Sequence, residues 1–191
     1  MKHLKILGLL VMTAASLMAF AGSSSAAPVL TTSAGGTDYT GEIQATLEKG
    51  TSSTFKAGIE DTCTESTTNG TANTNNTTHI VWTTVTFIFG GCSQHTLVIT
   101  SGSVTIDDSG QVFFSSTRIR IIITSLGITC YYGAETGSVK IGTFTGGTPA
   151  KLDVNTTTLQ RESGSNTFFC ASAGTWTGSY VVTTPSTLLL T

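Results

Sequence analysis

The chain has 191 residues, of which 9 are Lys or Arg and 11 are Asp or Glu, so that charged side chains make up only 10% where about 25% is usual. Without a basic excess to neutralise phosphates, nucleic acid is excluded as a partner, and the scarcity of Leu, Ala, Glu and Lys in periodic runs excludes a helical bundle. Thr (39), Ser (21) and Gly (21) supply 81 residues, while a hydrophobic share of 39% and a net charge of −2 argue against disorder.

Residues 1–26 read as a cleaved signal peptide. Lys2, His3 and Lys5 form a positive start, Ile6 to Ala21 is an apolar run of about 16 residues, and Ser24 and Ala26 stand at −3 and −1 of a cleavage site ahead of Pro28. A membrane anchor is the alternative, but the run is short for a bilayer core of about 30 Å. No later window approaches 18 apolar residues, so no transmembrane segment is expected after signal removal. Residues 27–191 then form one secreted β domain carrying 7 basic and 11 acidic residues, a net charge of −4. About 165 residues suffice to bury roughly 70% of the unfolded surface in a single core.

Along the mature chain nearly every segment alternates with period two, which is the strand signal. Tyr39, Ile43, Ala45 and Leu47 alternate with polar neighbours, Lys49 to Ser52 turns, and Phe55, Ala57 and Ile59 alternate on the return. The tract Thr64–Thr78 has no apolar anchor and is expected to be a long exposed loop. Ile80–Phe89 is the best candidate for a central strand and ends at Gly90-Gly91. Thr96–Thr100 and Ser103–Ile106 flank an expected Ser-Gly turn, and Asp107 to Gly110 is a second turn leading into Val112 to Phe114. Arg118–Ile123, Ile128–Tyr132, Ser138–Phe144, Ala150–Val154 and Thr157–Arg161 follow, with turns at Gly146 to Pro149 and Ser163 to Asn166. Thr167–Cys170 and Thr175–Thr183 are expected to form a last hairpin, and Leu188–Leu190 closes the chain. About eleven short strands with frequent turns and no amphipathic helix predict an all-β sandwich or barrel. Val85–Phe89 and Ile119–Ile123 are low in charge and strongly β-prone; at an edge they would favour strand addition between molecules, and otherwise they are core strands.

The four cysteines, Cys63, Cys92, Cys130 and Cys170, all lie in the exported part. Four cysteines in an oxidising compartment read as two disulfides with three conceivable pairings. The two halves each run from a Cys through polar residues and a Thr-rich segment to a Gly and a second Cys, which favours Cys63–Cys92 with Cys130–Cys170.

No catalytic constellation stands out, and no cofactor is expected. His79 and His95 lie outside any metal-ligand spacing, and no phosphate-binding or nucleophile-elbow motif occurs. The adjacent carboxylates Glu60-Asp61 and Asp107-Asp108 would point to opposite faces of a strand, which argues against a cooperating acid–base pair. Asp107 to Gly110 is most simply a turn, with a calcium site at Asp107 and Asp108 as the alternative. Trp82, Trp176 and Tyr180 are the candidate ligand-stacking residues, and Trp176 and Tyr180 share one strand face, where a core role competes. Asn69, Asn75, Asn76 and Asn155 stand in glycosylation sequons.

Gly127-Ile128-Thr129-Cys130, followed by Phe168-Phe169-Cys170, Trp176, Tyr180, Val182 and Thr184-Pro185, resembles a group of uncharacterised secreted proteins common in soil actinobacteria. The likeness spans residues 80–190 and is carried mainly by the last thirty. More distantly, the cysteine layout resembles surface or biofilm-associated proteins named as activators of alkane oxidation. The resemblance implies export, a disulfide-bonded β domain and surface association, and it carries no catalytic residues across. The expectation is therefore a non-enzymatic exported protein acting at or outside the cell surface by adhesion or self-association. The alternative is a carbohydrate- or small-ligand-binding β module.

Overall fold

A computed structural model describes residues 28–73, 80–93 and 96–191; the signal segment, His79, His95, Asn75 and Asn76 lie outside them. The chain is all-β, with eleven strands among the described residues: β1 (Leu30–Thr31), β2 (Glu42–Leu47), β3 (Ser53–Lys56), β4 (Glu60–Asn73), β5 (Ile80–Cys92), β6 (Thr96–Ile106), β7 (Gln111–Ile123), β8 (Ile128–Thr145), β9 (Lys151–Arg161), β10 (Ala173–Thr184) and β11 (Leu189–Leu190). Every pairing is antiparallel, and from β4 to β10 each strand pairs with the next in sequence. The ring closes through β10, whose other edge takes β2 at Tyr180–Thr184 and β3 at Thr175–Thr177. Both β2 and β3 also pair with β4, at Thr67–Thr71 and Glu60–Cys63. They are thus one broken stave, and the result is an eight-stave, up-and-down barrel. Full closure removes sheet edges, so Val85–Phe89 and Ile119–Ile123 are core strands and not sites of strand addition.

Eight staves leave an interior just wide enough for side chains, and aromatic rings fill it. Phe87 packs edge-on against Trp176 at 5.0 Å and Tyr180 at 5.5 Å between centroids, and against Phe114 at 5.9 Å. Phe55 packs on Tyr132 at 5.2 Å. The outward side chains of β10 are Thr175, Thr177, Ser179, Val181 and Thr183, so the outer face of this stave is mostly hydroxyl. No helix among the described residues is long and apolar enough to cross a membrane. One end of the barrel is closed by the β1–β11 ribbon, where Leu30 and Leu188 are fully buried.

Several expected boundaries change, for connected physical reasons. Thr64–Asn73 is strand and not loop: β4 turns Ser66, Thr68, Gly70 and Ala72 inward. These positions are small because rings from other staves occupy the space beside them. A Cβ on Gly70 would meet the Trp82 indole nitrogen at 2.0 Å, and the Tyr180 hydroxyl donates to Ser66 Oγ at 3.0 Å. The expected turn between Thr100 and Ser103 is absent, and β6 runs through it. Ile128–Tyr132 and Ser138–Phe144 belong to the single strand β8. What looked like interruptions are β-bulges, at which the inward phase slips: Trp82 and Val85 are both inward on β5, Phe114 and Thr117 on β7, Thr156 and Leu159 on β9. Thr84 and Ser116 sit in these bulges with φ of 52°, a left-handed conformation uncommon outside glycine. Such bulges bend strands tightly enough to close a small barrel.

A buried polar cluster ties β10 to the broken stave. Ser53 Oγ accepts from Trp176 Nε1 at 2.9 Å and lies 3.4 Å from the Tyr180 hydroxyl oxygen, whose proton goes to Ser66. Burial pushes the Tyr180 hydroxyl up to about 12 despite its bonds to Ser53 and Ser66. Because the folded value lies above the ordinary 10.0, the stability it contributes is complete below pH 10 and is lost as pH rises to about 12. Urea midpoints measured from pH 10 to 12 should fall, with Tyr180→Phe removing a share on the order of 2–3 kcal/mol of that dependence. Separately, Phe87→Ala, which empties the centre of the aromatic cluster, should cost about 3–5 kcal/mol in denaturant unfolding.

Candidate functional site at the disulfide-bearing mouth

Opposite the ribbon-capped end, the barrel opens between the connections 57–59, 124–127 and 162–172. Both disulfides lie at this mouth. Cys63, near the start of β4, is bonded to its register partner Cys92 at the end of β5, and Cys130, near the start of β8, is bonded to Cys170 in the 162–172 connection. The favoured pairing is thus the one observed. Closed loops of 29 and 40 residues correspond to about 3.5–4 kcal/mol each in the chain-entropy picture.

The 162–172 connection is a folded lobe, and Thr167–Cys170 is a turn and not a hairpin strand. Asn166 organises it. Its Oδ1 accepts the backbone N–H of Phe168 at 3.0 Å and of Phe169 at 3.2 Å, and its carbonyl accepts the Cys170 N–H at 2.9 Å. From behind, Arg161 Nη1 donates to the carbonyls of Thr167 (3.3 Å) and Cys170 (2.6 Å). Ser165 Oγ accepts the Tyr131 N–H at 2.8 Å and donates to its carbonyl at 3.1 Å, anchoring the lobe to β8. An asparagine cap of this kind competes with strand formation, and Phe168 and Phe169, being adjacent, could not both face inward on a strand.

The outcome is an apolar rim. Phe168 is 86% exposed, Leu126 59%, Phe169 50% and Ile59 37%; four of the five exposed large hydrophobics among the described residues stand at this mouth. The fifth, Ile88, is on the outer face of β5. The Phe168 and Phe169 rings meet edge-on at 4.9 Å. Phe169 and Ile59 line a small apolar recess floored by Phe55, Ile121, Ile123 and Tyr132. The connections 57–59 and 124–127 contain no charged side chain, and 162–172 carries only Glu162 at its start. Inside the recess the buried Asp61 carboxylate accepts from Ser93 Oγ at 3.0 Å, and Ser93 Oγ accepts the Thr62 N–H at 3.1 Å. Asp61 lies beside the sulfurs of Cys63 and Cys92, but the disulfide withdraws them as thiolate ligands.

The other sequence candidates fall elsewhere. Trp82, Trp176 and Tyr180 are inside the barrel with at most 2% exposure, so they form no outer stacking platform; their rings are needed to fill the core. Asp107 serves its turn. Its Oδ1 accepts from the Ser109 N–H (3.0 Å), the Ser109 hydroxyl (2.7 Å) and the Gln111 N–H (2.8 Å), and its Oδ2 from Gln111 Nε2 (3.2 Å). Burial raises the Asp107 carboxyl, but these bonds, with the Lys140 charge, outweigh it and hold it below its usual range. Both oxygens are engaged by the turn's own donors, as the turn reading expects. Glu60 and Asp61 face opposite ways as expected, Glu60 pairing with Lys56 at 3.0 Å. Asn69 and Asn155 are exposed on β4 and β9.

Comparisons with protein-family models, curated proteins and solved structures find no match. The geometry of the mouth is the feature that points to a function. Its dependence on the second disulfide is measurable: Cys130→Ser with Cys170→Ser should lower unfolding stability by about 4 kcal/mol, and hydrogen exchange should show the Phe168 and Phe169 amides losing protection before those of β5.

Proposed function

We propose that this is a non-enzymatic exported β-barrel that acts at the cell surface by adhesion or self-association, with the disulfide-bearing mouth as its working surface. The observation that carries the reading is the neutral rim bearing Phe168, Phe169, Leu126 and Ile59. Exposing such a cluster forgoes the roughly 1.5–3 kcal/mol that burying each large apolar side chain yields, and contiguous exposed apolar surface marks interaction sites. Two disulfides at that end agree with an oxidising compartment, and the N-terminal segment has the character of an export signal.

Adhesion here would work through side chains, because the closed barrel offers no long edge for strand exchange. Expressing the chain with its own N-terminal segment in a bacterial host and separating medium from surface material tests this. The wild type should partition to the surface fraction, and Phe168→Ser with Phe169→Ser should shift it several-fold towards the medium. Unboiled, non-reduced gels should show no detergent-resistant ladder. Equal release of both proteins into the medium would overturn the proposal.

A further inference from the structure

Resting on that reading of the mouth, we propose that its partner is an anionic lipid bilayer, with Phe168 and Phe169 entering the interface and arginines meeting the headgroups.

The tip is suited to leaving water. A backbone entering hydrocarbon must satisfy its own polar groups. The lobe does much of this internally: the N–H groups of Phe168, Phe169 and Cys170 go to Asn166, and the carbonyls of Thr167 and Cys170 go to Arg161. The Cys130–Cys170 bond and the Ser165–Tyr131 bonds fix the lobe beforehand, so little ordering cost falls on docking.

The charges point the same way. All three arginines of the chain, Arg118, Arg120 and Arg161, lie on the β7–β9 side beside this lobe. Arg118 sits over the Tyr131 ring at 4.2 Å and donates to the Ser163 carbonyl. Glu162 stands next to them and Glu135 lies on β8, so this side sets two acids against three arginines in a chain that is otherwise acidic. Arginine and tyrosine behind exposed phenylalanines match the layering of a membrane interface, where aromatic and basic side chains sit at headgroup level, and basic residues near an anionic leaflet are attracted to it.

Size disfavours a second copy as occupant. Eight staves spaced about 4.8 Å apart and tilted about 40° give an end face of roughly 400–500 Å² with its outward side chains. A stable protein interface takes about 800 Å² per partner. Lipid imposes no such minimum.

The test is flotation of the oxidised full-length exported protein with vesicles of phosphatidylcholine alone or mixed with phosphatidylglycerol. The wild type should float with the mixed vesicles, and several-fold less with phosphatidylcholine alone or at high salt. Phe168→Ser with Phe169→Ser, used only where its unfolding midpoint shows a folded barrel at the assay temperature, should lower the bound fraction about tenfold or more. Ile88→Ser, which removes an exposed apolar group away from the mouth, should leave binding unchanged. Failure of the wild type to float with any composition, or equal flotation of the double variant, would overturn the lipid proposal. If the wild type instead sediments as a dimer that the double variant abolishes, the lipid proposal falls and the mouth remains the working surface. A wild type that neither floats, self-associates nor fractionates with the surface overturns both.

Discussion

The structure depends on one strand having two sets of neighbours. β10 pairs with β9 along Ala173–Val181 and with the broken stave β2–β3 along Thr175–Thr184, and this is what turns a meander into a ring. The alternate residues that β10 sends inward are Gly174, Trp176, Gly178, Tyr180 and Val182. Trp176 and Tyr180 therefore lie at the seam, and the Ser53 hydroxyl joins them to the facing stave. Because the interior of an eight-stave barrel is narrow, rings this large demand small residues opposite. Gly174 shows the constraint: a Cβ there would come within 2.7 Å of the Phe55 ring.

Closure also explains the composition. Inward positions carry aromatic and aliphatic side chains interleaved with small ones, while outward positions must keep a strand conformation and face solvent. Threonine meets both demands without charge. A sheet with long edges would need lysines or prolines to guard them, but a closed ring does not, so a charged fraction of 10% is compatible with a protected fold. The bulges at Thr84, Ser116 and their neighbours supply the curvature.

With the walls protected and one end capped by β1–β11, what distinguishes the molecule is its other end. There the two disulfides and the Asn166 cap hold apolar side chains outward, against the general tendency to bury them. A hydrophobic group kept exposed by covalent and hydrogen-bonded scaffolding is poised for contact, and the scarcity of charge in the rim connections makes apolar contact a large part of what it offers.

Composition, periodicity and the cysteine count by themselves determined the strand class, the turn at Asp107 to Gly110 and a two-disulfide framework, because each depends on local chemistry. Tertiary structure decided the rest. Whether Thr64–Asn73 was loop or strand depended on rings from β5 and β10 filling the space over its small residues, and no local pattern records that. The inward phase was unreadable across the bulges, since one inserted residue reverses which side chains face the core. Trp176 and Tyr180 share a strand face whose pattern favours a core role, but only closure of β10 placed them inside. Phe168 and Phe169 fall in a segment expected to be a hairpin strand, and only the fold of the 162–172 lobe set them at the mouth with Leu126 and Ile59, because proximity between loops separated by dozens of residues is a property of the closed ring.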